Sequence, residues 1–177
     1  MASRACPSCG ATAEPGAERC TYCRAALPPR APSDSPAVAA AHFAKGVHHL
    51  ALAEYALAQR EFEAVLRVAA RSADAYAHLA LALLAGRHPR TLALGVAREI
   101  ARHANAALAL DGRHAIATAV LALVVREYFE LGSVRHDGPG AEELCRRLGP
   151  LMTPAVRDAL RPHVRTSDAL LTRTLLA

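Results

Sequence analysis

From Pro36 onward, apolar residues recur every three or four positions and no stretch alternates with a period of two. That pattern predicts helix throughout and no strand. Gly, Pro and small polar residues divide the run. Ser35 as N-cap and Pro36 at the first helical position open a helix to about Leu52. "AEY" is a turn, and a second helix runs from Tyr55 to about Ala70. Ser72 caps a third that ends at Gly86. A fourth runs from about Pro89 to Leu110, stopped by Asp111–Gly112, and a fifth from Arg113 to Leu131. "SVRHDGPG" then breaks the helical pattern. Ala141 to Leu148 is a short helix, Thr153–Pro154 opens another that Pro162 ends or kinks, and Ser167 caps a last one. In that last helix Leu170, Leu171 and Leu175 share a face. Connections this short make neighbouring helices antiparallel hairpins.

The first 30 residues carry no such period; they are polar and rich in Cys and Pro. "LPPRAPSDSP" (27–36), with four prolines, reads as a stiff spacer. The expected organisation is 1–27 as a small unit, 28–37 as a linker, 38–132 as helical repeats and 133–177 as capping helices.

Four of the five cysteines fall in the first 23 residues, as Cys6-x-x-Cys9 and Cys20-x-x-Cys23. Each CxxC turn sets two thiolates on one side of a tight loop. Two such turns facing each other supply four sulfurs in the tetrahedral arrangement that Zn²⁺ takes. Gly10 permits positive φ after the first turn, and Pro15–Gly16 centres a hairpin between the two. Twenty-seven residues cannot bury a core of their own, and a bound zinc contributes roughly 10–16 kcal/mol of apparent folding energy. Four thiolates close the coordination sphere, so the expectation is one structural Zn²⁺ per chain rather than a catalytic one. Cys6, Pro7, Cys9, Gly10, Cys20, Tyr22 and Cys23 resemble the CPxCG…CxYCG pattern of the short bacterial zinc ribbons. Arg24 stands where that pattern has its second Gly, which predicts a less regular second knuckle.

Residues 39–72 resemble one tetratricopeptide repeat, a helix–turn–helix unit. Gly46 falls on the small position where two helices touch, and Ala58 and Phe62 on packing positions of the second helix. Tyr76, Leu79 and Ala80 fit the next repeat, interrupted around "GRHPRT"; Thr118, Leu121 and Ala122 fit a degenerate third. The resemblance implies a mainly α fold: a solenoid of helical hairpins behind a small β zinc ribbon. It also implies a partner-binding groove lined by Phe43, Val47 and Leu50, then Ala77, Leu81 and Leu84, then Ala119 and Leu123. Such an apolar groove suits an amphipathic helix or peptide, or is filled by the chain's own C-terminal helix. The basic clamp of repeats that grip acidic chaperone tails is missing.

Charge changes this picture little. The 177 residues carry a formal charge of +5, and the longest basic run is Arg146–Arg147. In the N-terminal stretch Arg4, Arg19, Arg24 and Arg30 exceed Glu14 and Glu18 by two charges, which a zinc–tetrathiolate centre cancels. Phosphate binding needs a positive surface, so nucleic acid is the lesser expectation. No apolar leader is visible, and the longest apolar run, Ala115 to Val125, is too short to span a bilayer. The expectation is a cytoplasmic protein with no membrane contact. The histidines show no paired-ligand spacing, Cys145 reads as a small buried hydrophobe, and no nucleophile elbow, phosphate loop or acidic cluster is present. The sequence therefore points to a non-catalytic protein–protein interaction adaptor. The alternative is a nucleic-acid-associated or transcription-related factor using the ribbon.

Overall fold

The computed structural model describes residues 4–13, 17–27 and 36–176. The Pro15–Gly16 turn and the spacer up to Ser35 lie outside these residues. The chain divides into two compact units, Met1–Ser35 and Pro36–Ala177.

In the first unit β1 (Arg4–Ala5) pairs antiparallel with β2 (Thr12–Ala13), with Ala5 opposite Thr12. A second, single-bridge pairing joins Arg19 to Ala26. Each pairing encloses one CxxC turn, so the knuckles sit at the tips of two hairpins. Among the described residues this is the only sheet. Its apolar core is small: Cys6, Ala13, Cys20 and Leu27, with Ala11 and Ala17 against it.

The second unit is helical. Helices α1 (Pro36–Ala51) and α2 (Tyr55–Val68) form a hairpin. The three-residue connection between them turns the chain back, and side chains join the two helices: His42 Nδ1 lies 2.7 Å from Glu61 Oε2, and Gly46 abuts the Phe62 ring. A Cβ at Gly46 would stand 2.6 Å from Phe62 Cε1, so only glycine allows this approach. Helix α3 (Ala73–Leu84) is capped by Ser72, whose hydroxyl accepts from Ala75 N–H. It pairs with α4 (Leu94–Leu110), and Tyr76 stacks on His103 with ring centroids 5.8 Å apart. The fourth helix begins later than its sequence pattern suggests. Pro89–Thr91 form a separate 3₁₀ turn, and Leu92 is buried between the two elements.

Helix α5 (Ala115–Val124) is apolar on every side and buried from Ala117 onward. A helix of that kind belongs in the middle of a domain. It packs on α3, α4, α6 and α7. Its last stretch, Val125–Glu130, widens into a π-helical turn, where Leu131 N–H reaches Arg126 O. Val125, Glu127 and Phe129 are all buried. Positions two apart point to nearly opposite sides of a helix, so this segment is covered on both sides.

The C-terminal part comprises α6 (Ala141–Leu148), α7 (Pro154–Leu160) and α8 (Ala169–Leu171), which continues as a π turn over Thr172–Leu176. Thr153 caps α7 as its sequence predicts. The cap of α8 is Asp168 rather than Ser167: its carboxylate accepts from the amides of Leu170 and Leu171 at 3.0 and 3.1 Å. Leu171 and Leu175 are fully buried, in one cluster with Leu144, Leu148 and Leu160 and with Leu81 and Leu123. No described helix is long and apolar enough to cross a membrane.

Candidate metal centre

The two knuckles are built alike. Cys6 N–H donates to Ala11 O at 2.8 Å and Gly10 N–H to Cys6 O at 2.8 Å. Cys20 N–H donates to Ala25 O at 2.9 Å and Arg24 N–H to Cys20 O at 2.9 Å. Gly10 and Arg24 occupy matching left-handed positions, with φ of 73° and 60°. Contrary to the sequence expectation, the second knuckle is as regular as the first. Arg24 adopts the strained conformation that glycine adopts freely.

This pairing brings the four sulfurs of Cys6, Cys9, Cys20 and Cys23 within 4.8 Å of one another. Cys6 and Cys23 are 3.6 Å apart, Cys9 and Cys20 3.7 Å. A tetrahedron with Zn–S bonds of about 2.3 Å has sulfur–sulfur edges of about 3.8 Å. The four cysteines could therefore hold one metal ion. The first cysteine of each pair is buried and the second exposed, so each turn presents one sulfur from within and one from its rim.

The electrostatics suit a cation. The backbone amide of Ser8 holds the Cys6 thiol below its ordinary range. The amides of Cys23 and Tyr22 bring Cys20 down to about 6. At Cys9 the Ala11 backbone favours the thiolate, but Cys23, burial, Cys20 and Cys6 together outweigh it and push the thiol up to about 12. Turn amides thus favour thiolates at the buried positions, while crowding opposes full ionisation of the set. A bound divalent ion removes that opposition.

The groove implied by the repeat resemblance is not open. Leu50, Ala77, Leu81, Leu84, Ala119 and Leu123 are all buried. Phe43 is half-buried between the rings of Phe62 and His78, at 5.6 and 5.0 Å, and only Val47 stands exposed. For the positions on α3 and α5 the physical reason is the central place of α5, packed between α3 and the chain's own α6 and α7, while α1 packs on α2 and α3.

The sequence reading passed over Glu127, which is fully buried. It accepts from Arg90 Nε at 3.1 Å, from the Thr166 hydroxyl and from Ser167 N–H at 3.3 Å, with His88 Nε2 3.6 Å away. One carboxylate thereby ties the 3₁₀ turn and the C-terminal segment to the central helix. The signal was present: Glu127 follows Leu123 by four positions and Val124 by three, on a face that is otherwise apolar. Beside it, Arg126 Nε donates to Asp168 at 2.9 Å, anchoring the cap of α8. Cys145 is buried, and burial raises its thiol, as expected of a small core residue.

No protein-family model, curated protein or solved structure matches this chain.

Proposed function

We propose that the chain is a non-catalytic interaction adaptor, cytoplasmic, whose N-terminal unit is a zinc ribbon and whose helical unit is a tetratricopeptide-like solenoid closed by its own C-terminal helices. The observation that carries the metal half is the cluster of four sulfurs, all within 4.8 Å of one another, on two matching knuckles. All-thiolate donors favour Zn²⁺ over harder cations, and four of them leave no position for substrate. Support for the adaptor half comes from the second knuckle. Tyr22, at its tip, is 77% exposed, and Arg24 beside it is exposed as well. Tyrosine and arginine are the side chains that most often anchor protein interfaces. Unlike the buried groove positions, they are available to a partner.

Zinc content by native mass spectrometry tests the first half. One zinc per chain is expected, lost when Cys20 and Cys23 are both replaced by Ser; a zinc-free wild-type protein would refute it. Cross-linking in native extract tests the second. Adducts from wild-type protein that disappear in Tyr22→Ala and Arg24→Glu support protein docking. Binding of a single-stranded oligonucleotide that the same substitutions abolish would favour the nucleic-acid reading, in which Tyr22 stacks on a base.

A further inference from the structure

We propose that the cavity between α4 and the end of α5 binds a small phosphate monoester carrying a planar apolar group, a ligand the size of a mononucleotide. The cavity has a volume of about 340 Å³, within the usual range for small-molecule sites.

Its walls come from three elements. Arg98, Arg102 and Asn105 lie one turn apart on a single face of α4. Leu121, Val125 and Phe129 form an apolar floor, and the loop after the π turn adds Arg135, His136 and Asp137. Guanidinium groups one turn apart repel and slightly destabilise a helix. Here a third approaches them from a separate loop.

These cations are poorly neutralised within the protein. Among the described residues Arg98 and Arg135 have no ion-pair or hydrogen-bond partner. Arg102 Nη2 is 3.7 Å from Glu99 and 2.9 Å from His103 Nε2, which leaves it partly engaged. Three guanidinium charges against the single carboxylate of Asp137 leave two positive charges on the lining. A phosphate monoester, at about −1.5 to −2 near neutral pH, complements that better than a carboxylate does. The guanidinium fork also matches phosphate oxygens two at a time.

The floor sets the rest of the ligand. The Phe129 and His136 rings lie 5.5 Å apart at 37°, next to the side chains of Leu121 and Val125. A flat apolar group resting there carries its phosphate out to the arginines. A cavity of this size takes one such unit rather than a polymer.

Calorimetric titration of the full zinc-loaded chain with AMP, adenosine and inorganic phosphate tests the assignment. AMP should bind with a Kd below about 1 mM, and adenosine and phosphate each at least about tenfold more weakly. Arg98→Gln and Arg135→Gln should each weaken AMP by about tenfold with unchanged thermal midpoints. Amide chemical-shift changes in the wild-type protein give a readout free of any folding defect, and should centre on Arg98, Phe129 and Arg135. The proposal is overturned by absence of AMP binding at millimolar concentration, by phosphate binding as tightly as AMP, or by shifts confined to another region. A single-stranded oligonucleotide that binds tighter than AMP with a steep salt dependence would also overturn it, by showing an extended basic surface instead of a pocket.

Discussion

Arg24 and Gly46 show how single positions hold opposite kinds of strain. Arg24 repeats the left-handed geometry of Gly10 at φ 60°, and that conformation costs a residue with a Cβ about 1 kcal/mol. Arg24→Gly should relieve it and tighten zinc by up to about fivefold, read by competition with a chromogenic chelator. Gly46 faces the Phe62 ring with no room for a Cβ, so Gly46→Ala should destabilise the helical unit by about 1–3 kcal/mol in urea unfolding. Gly95 is the internal control. It lies in the first turn of α4 with nothing within 4 Å of an added Cβ, and Gly95→Ala should stabilise by about 0.5–1 kcal/mol. Gly46 could be picked out from its place in the repeat pattern, because close helix approach demands a small residue there. The regularity around Arg24 could not, because hydrogen bonds of the neighbouring turn impose it.

Histidine protonation also acts one residue at a time. Burial lowers His78, His103 and His163, and Arg102 adds to the effect at His103 and Arg165 at His163. Each is held neutral in the fold, while the unfolded chain takes up protons near pH 6.5. Stability is therefore complete above that value and lost as pH falls through the depressed folded values. Urea unfolding at pH 7.5, 6.5 and 5.5 should show the midpoint dropping in the lower interval. His103→Phe keeps a ring against Tyr76, removes the buried Nδ1 that has no partner, and should flatten that drop.

Among the elements, the C-terminal segment depends most on a few side chains. Its helices are short, and an isolated helix of that length is unstable in water. Burial of Leu160, Leu171 and Leu175 and the ties to Arg126 and Glu127 hold it in place. Replacing Glu127 by Ala strands the Ser167 amide and the Thr166 hydroxyl and frees Arg90. A loss of about 3 kcal/mol is expected, with hydrogen-exchange protection falling first in α8. The sequence marked these helices by their caps and leucines, although it chose Ser167 over Asp168. Adjacent cap candidates are separated only by which one finds a cation partner, here the half-buried Arg126.

For the whole molecule, the two compact units rest on different sources of stability. The first has four buried apolar residues among those described, and the second a continuous apolar core. Chelation of zinc should abolish amide dispersion from residues 4–27 and leave the helical circular-dichroism signal and its thermal midpoint unchanged within about 2 °C. Loss of both together would show that the units fold as one.

The sequence alone picked out the four cysteines that cluster, the helical periodicity and most helix ends. Each of these is set by covalent spacing or by local backbone chemistry: two CxxC turns, a 3.6-residue period, and caps at Ser72 and Thr153. Only the tertiary structure decided which apolar face stays open. Helices of one hairpin carry no record of what will cover them, so Leu81 and Leu84 read as a groove until α5 packs on α3, and Leu123 until the C-terminal helices pack on α5. The same holds for the charges. Arg98, Arg102 and Arg135 form one cationic cavity, and Glu127 one buried clamp, because elements far apart in sequence converge there, and convergence is a property of the packed fold.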